Sequence, residues 1–303
     1  MKEHLIDSDF TDALSPFNEA AAYEALWDEE GATVKKIAEL FFPKTQDISS
    51  PFISHLSENI KNTDFYKQTL FKILKSLSLK NFHLDICCLG AMDFPKKLLD
   101  AKYPIPLLYF SGAWDLIFSP SVAVVGTRSP TPEGIKRTQK LVKELINDNF
   151  VIVSGLAKGI DTVAHQTAIF NKKPTIGVIG TPLSEYYPKE NKLLQDEIAK
   201  NHLLISQVPF IRYRKQTYQT NRFFFPERNK TMSALSLATI IVEAGESSGA
   251  LIQAKAALEQ KRKLFILENC FQNKDLTWPS KFEKDGAIRV REYSDIKKVL
   301  ESL

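Results

Sequence analysis

SVAVVGTRSPTPEGIKRTQKLVKELINDNFVIVSGLAKGIDTVAHQTAIFNKKPTIGVIG, residues 121–180, decides the fold. Three β-rich runs punctuate it: VAVVG (122–126), VIVSG (151–155) and TIGVIG (175–180). Helical stretches at 132–147 and 159–170 stand between them. Downstream come a helix at 189–200, LLIS (203–206), an irregular stretch and a helix near 229–236. ATIIVEA (238–244), a helix at 248–260 and KLFIL (263–267) follow. Apolar strands alternating with helices predict a parallel sheet covered on both faces. The expected class is therefore α/β, a Rossmann-like parallel sheet. Eight of the 12 glycines lie between 126 and 249, mostly at strand ends, where such a sheet places its ligands.

Upstream the texture differs. Residues 18–42 read as helical, with a break at Gly31, and 53–79 gives one or two further helices. The segment 90–110, punctuated by Pro95, Pro104 and Pro106, reads as a connector with an edge strand at 106–110. The expected division is a helical N-terminal domain, 1–100, and a Rossmann-like domain, 101–303. At roughly 150 residues per domain, a length of 303 agrees with two domains.

Charge is divided unevenly. Residues 1–110 hold 12 Lys, no Arg and 16 acids, whereas 111–303 hold 28 basic and 20 acidic residues. Arginine forks phosphates better than lysine, so phosphate contacts are expected in the later part. No uncharged run exceeds 12 residues, short of the roughly 20 that a membrane span needs. The acidic start MKEHLIDSDFTDA lacks the apolar core of a signal peptide. Three cysteines without CxxC spacing suggest neither a disulfide framework nor a zinc site, and the expected setting is the cytoplasm.

Candidate chemistry lies at the strand ends. Gly126-Thr127-Arg128 offers backbone N–H groups, a hydroxyl and a guanidinium to an anion, although it is neither GxGxxG nor a Walker loop. The turn from Ser154 and Gly155 to Lys158 and Gly159 is a second such cradle, and Ser248-Gly249 a third. Asp161 and His165 share a helix face and read more readily as structural than catalytic. Segment 209–230, PFIRYRKQTYQTNRFFFPERNK, interleaves six basic residues with six aromatics against one acid. Cations neutralise phosphates and ring faces stack on unpaired bases, which is the signature of a single-strand surface. Three consecutive Phe cannot all point one way in an extended chain, so at least one is expected to face a ligand or interface.

Five ordered blocks together resemble the DprA/Smf family of DNA-processing proteins. They are FPKKLLDAKYPIPLLYFSGAWDLIFSPSVAVVGTR, SGLAKGIDTVAH, TIGVIGTPLSEYYPKEN, FPERNKTMSALS and IIVEAGESSGALIQAKAALEQ, within about 90–268. The resemblance implies an extended Rossmann-like fold that binds single-stranded DNA without catalysis, as a dimer that helps to load a RecA-type recombinase in transformation. Carried over by block, the implied DNA pocket comprises Gly126, Thr127 and Arg128, the turn Ser154, Gly155, Lys158 and Gly159, then Lys189 and Asn191. Phe225, Arg228, Asn229 and Lys230 complete it, with Ser248 and Gly249 in the last block. Thr127 stands where the family has Ser, and Lys158 and Lys230 where Arg is common. The family's glycine-rich turn after the last strand is missing from 267–286.

No catalytic residue, metal, cofactor or membrane contact is expected. The alternative is a nucleotide-binding or nucleotide-hydrolysing protein, phosphoribohydrolase-like or a nucleotide sensor, including one in phage defence. Against the first stands EAGESSGALIQA, which lacks the PGGxGTxxE pattern and leaves Glu243 and Glu246 as the only plausible carboxylates. An NAD dehydrogenase is disfavoured because the dinucleotide fingerprint is absent.

Overall fold

The computed structural model describes residues 14–41, 60 and 62–303. The acidic N-terminal run and residues 53–59 of the predicted second helical stretch lie outside the described residues. Helices α1 (Pro16–Asp28), α2 (Val34–Phe41) and α3 (Asp64–Ser78) come first, with Gly31 between α1 and α2 as expected. Strands β1 (Asp85–Cys88) and β2 (Leu107–Gly112) flank a 3-10 turn at Lys96–Asp100. The alternating part then runs β3 (Ser121–Val125), α4 (Pro132–Asn147), β4 (Val151–Ser154), α5 (Ile160–Phe170), β5 (Thr175–Ile179), α6 (Lys192–Asn201) and β6 (Leu203–Ser206). Two short helices follow, α7 (Phe210–Lys215) and α8 (Tyr218–Asn221). The chain continues α9 (Phe224–Leu235), β7 (Ala238–Ile241), α10 (Ala250–Glu259) and β8 (Lys263–Leu267). It closes with α11 (Glu268–Gln272), α12 (Trp278–Lys284), β9 (Ile288–Val290) and α13 (Tyr293–Leu300).

One nine-stranded sheet has the order β1-β2-β6-β5-β4-β3-β7-β8-β9. The pairings β1–β2 and β2–β6 are antiparallel and the rest parallel. The α/β class is as predicted. One detail differs: the 106–110 strand is no edge, because β2 pairs on one side with β6 and on the other with β1. β1 itself is not evident from the sequence, and it joins the sheet from the stretch that reads as a helical domain.

Side-chain alternation explains why the strands are apolar throughout. Val122 and Val124 of β3 enter one core with α4, α5 and α13, and Ala123 and Val125 enter the other. Each fully buried Val or Ile contributes roughly 1.5–3 kcal/mol. The second core also contains Tyr23, Leu26 and Trp27 of α1, so the N-terminal helix packs on the sheet. Helix α4 starts where expected because Thr131 caps it, accepting from Gly134 N at 3.0 Å, with Pro132 in its first turn.

Candidate functional site

Because β3, β4 and β7 run parallel, their carboxyl ends meet on one rim. Strand order reverses around β3, with β4 on one side and β7 on the other, and this is where a doubly wound sheet opens a crevice. The crevice is present, with a volume of about 750 Å³. Gly126, Thr127 and Arg128 line one wall, and Gly245, Ser248 and Gly249 another.

The loops around it are tied together by backbone. Thr127 N donates to Glu243 O at 2.7 Å, and Ile160 N donates to Thr127 O at 3.2 Å. Gly159 has φ +80°, and a Cβ there would strike the Thr127 carbonyl, so only glycine lets these two turns close. Leu156, fully buried with φ +57°, holds a left-handed conformation that a leucine rarely adopts. Asn191 stabilises that turn by donating to Leu156 O and Thr162 Oγ1, both at 2.8 Å.

The cations of the implied pocket have different fates. Arg128 is exposed at the cleft, and its guanidinium has neither a hydrogen bond nor an ion pair among the described residues. Lys158 pairs with Glu190 at 2.6 Å in solvent. Lys189 is exposed and lies outside the cleft lining. Arg228 is 5% exposed, and its Nη1 donates to Gly155 O and Val178 O, both at 2.5 Å. Burial lowers its pKa to about 10, opposed by the nearby Asp161. Burial in turn raises the Asp161 carboxyl to about 6, against the pull of Arg228 and of the Ala157 and Gly155 N–H groups. Arg228 therefore braces the floor of the cleft. Lys230 pairs with Glu227 at 2.7 Å and lines a separate cavity of about 340 Å³ on the other side of α9.

The other implied residues divide likewise. Ser154 is buried and donates to Val124 O at 2.7 Å. Asn229 lines the cleft and donates to Gly249 O at 3.0 Å, linking α9 to the α10 turn. Helix α9 begins at Phe224, not near 229, so the Phe triplet spans a helix start rather than an extended chain. Phe224 is sealed inside, whereas Phe223 and Phe225 are half-buried and line the cleft. The ring of Phe225 rests on the Gly180 backbone, 2.6 Å from where a Cβ would stand. Tyr187 tilts against Phe225 at 5.1 Å, and Tyr218 against Tyr187 at 6.1 Å.

Tyr187, Tyr218 and Arg222 are not among the residues implied by the family resemblance, although all three line the cleft. The basic-aromatic pattern of 209–230 is the signal for Tyr218 and Arg222. Much of that segment serves the fold: Arg212 Nη1 donates to Trp27 O at 2.6 Å, and Lys215 pairs with Asp28 at 2.5 Å.

Acidic and imidazole groups near the rim are engaged. Glu243 accepts from Thr131 N at 3.0 Å and from Thr131 Oγ1 at 2.8 Å. Glu246 accepts from Thr277 N at 3.0 Å and from the Thr277 hydroxyl. His165 is buried, its Nδ1 2.8 Å from Thr175 Oγ1, and burial lowers its pKa to about 3. Among the described residues no cluster of three or more His, Cys, Asp or Glu could hold a metal, and no helix is long and apolar enough to cross a membrane.

Comparison with known proteins places this geometry. The family described as DNA recombination-mediator protein A matches residues 85–301. The DNA processing protein DprA of Streptococcus pneumoniae is 44% identical over 170 residues, which cover 56% of this chain and 58% of that protein. The matched stretch thus spans a little over half the length of that relative. The X-ray structure of DNA processing protein A from Streptococcus pneumoniae is similar at a TM-score of 0.68 and 30% identity, covering 93% of this chain and 97% of that one. DNA processing protein A from Helicobacter pylori, solved for its single-stranded DNA binding mode, is similar at a TM-score of 0.61 and 31% identity, covering 73% and 97%.

Proposed function

We propose, from the premise that this chain belongs to the DNA recombination-mediator protein A (DprA/Smf) family, that its cleft binds single-stranded DNA and performs no chemistry on it. One observation carries the reading: the unengaged guanidinium of Arg128 and the ring of Phe225 line the same open cleft at the sheet's switch point. Arg128 supplies the charge that a phosphate backbone needs, and Phe225 a face that any unpaired base can use. Lys189, exposed outside the cleft lining, adds positive charge near the rim, whereas the charge of Lys158 is offset by Glu190.

The Helicobacter pylori relative, described for single-stranded DNA binding, supports the substrate class. The carboxylates that a nucleotide-cleaving enzyme would need, Glu243 and Glu246, are held by Thr131 and Thr277. The finer role in this reading, a cytoplasmic homodimer that protects the strand and passes it to a RecA-type recombinase, is what the family resemblance implies, and the family's description as a recombination mediator is consistent with it.

The test is a competition. Labelled oligo-dT bound to the protein is challenged with unlabelled single strands or with duplex of equal length. Displacement by the single strand at much lower concentration than by the duplex is expected. Equal displacement, or no binding at all, would overturn the reading.

A further inference from the structure

The chain between β6 and α9 forms a strap along one side of the cleft. Its first helix, α7, is fixed by a residue far away in sequence. The buried carboxylate of Glu24 accepts from Phe210 N and Ile211 N, both at 2.9 Å, and from Tyr109 Oη at 2.7 Å. The guanidinium of Arg212 lies over Trp27 at 5.4 Å and Phe223 at 5.9 Å. Asn221 Nδ2 donates to Tyr213 O at 2.9 Å, which ties α8 back to α7, and Thr217 caps α8. The strap is thus held by α1, and it carries Tyr218 and Arg222 one helical turn apart, on the same side.

Ring spacing decides what the aromatic row can accept. A base inserted between two rings needs roughly 7 Å, twice the stacking step of about 3.4 Å. The gaps of 5.1 and 6.1 Å are narrower, and both ring pairs are tilted. Phe225, Tyr187 and Tyr218 therefore form a closed wall. Phe225 is backed by Gly180, and Tyr218 is the open end, 59% exposed with its hydroxyl 3.1 Å from that of Tyr187. Arg222 is exposed beside it, its guanidinium with neither a hydrogen bond nor an ion pair among the described residues.

We infer that Tyr218 and Arg222 make a second, outer subsite that stacks one further unpaired base and pairs its phosphate. The inference rests on the single-strand reading above and deepens it. A strand gripped at Arg128 and Phe225 continues along the ring wall to the face of Tyr218. Helix α1 acts as the positioning element, because it holds α7 and through it α8.

The experiment uses the full chain and labelled oligo-dT of about 3 and about 12 nucleotides. Tyr218→Ala is expected to weaken binding of the longer strand roughly tenfold and leave the shorter one unchanged. Tyr218→Phe keeps the ring and is expected to bind both as the parent does. Arg222→Ala is expected to lower the salt dependence for the longer strand only. Equal affinities for Tyr218→Ala and the parent at both lengths, while Arg128→Ala weakens both, would overturn the outer subsite and leave the substrate reading intact. Equal losses at both lengths would also overturn it, by placing Tyr218 in the inner pocket. A parent protein that binds neither strand would overturn the substrate reading itself.

Discussion

Arg228 Nη1 donates to the carbonyl of Gly155 across 73 positions of sequence, and this bond joins α9 to the turn after β4. A second bond, to Val178 O, ties the same guanidinium to β5. Removing the side chain takes a donor from two buried carbonyls and leaves Asp161 without the guanidinium that offsets its buried charge. Arg228→Ala is therefore expected to cost about 3–5 kcal/mol, read as a lowered urea midpoint. Asn229→Ala, one position on, is expected to cost no more than about 1 kcal/mol. A variant Arg228→Ala as stable as the parent would refute the bracing role.

Gly180 acts on the site through Phe225. A Cβ at 180 would displace the ring, so Gly180→Ala is expected to weaken single-strand binding several-fold. Phe225→Ala is expected to cost roughly tenfold, within the range for removing one ring from beneath a stacked base. The double variant should bind no worse than Phe225→Ala alone, because the ring through which position 180 acts is gone. Additive losses would show that Gly180 has a separate role.

Burial raises the Glu24 carboxyl from 4.5 to about 7, against the pull of its Ile211, Tyr109 and Phe210 donors. A folded-state pKa above the unfolded one means that the folded chain binds the proton more tightly. The contribution is full below pH 4.5 and is lost as pH rises through 7, on the order of 3 kcal/mol in total. Asp161, raised to about 6, adds loss in the same direction. His165 acts oppositely: its lowered pKa costs stability as pH falls below 6.5. Glu24→Gln is expected to flatten the decline in urea midpoint between pH 5 and pH 8, whatever its effect on the midpoint itself. An unchanged slope would count against this assignment.

Glu243 caps α4 jointly with Thr131. Glu243→Gln keeps an oxygen for one of the two Thr131 donors but sets an amide NH2 against the other, and is expected to cost roughly 1–2 kcal/mol. Incubation of the parent with AMP should release no adenine. Adenine release that is abolished by Glu243→Gln would instead make this carboxylate catalytic.

The central strands are legible in the sequence because burial on both faces writes itself as unbroken apolar runs. β1 is not, because DICC begins with an exposed Asp85 and a half-buried Ile86 and so shows no unbroken apolar run, and β9 has only three residues. Helices α7 and α8, six and four residues long, are hidden because what fixes them is Glu24 and Arg212 acting against a distant helix. Pro226 hides the start of α9, yet proline is tolerated in a first turn, where its missing N–H has no partner to lose. With the true start, Phe224, Arg228, Thr231 and Leu235 fall on one buried face, and the inward position of Arg228 becomes legible. The anion-accepting turns are visible as glycines at strand ends. Which cation stays free is not, because Glu190 and Glu227 meet their lysines through folding or helical geometry.

The most direct measurement is the slope of log affinity against log salt for oligo-dT, in the parent and in Arg128→Ala. The account predicts weaker binding for the variant and a slope shallower by about 0.7, the value for one fewer neutralised phosphate on a single strand. Identical affinity and slope in the two proteins would contradict it.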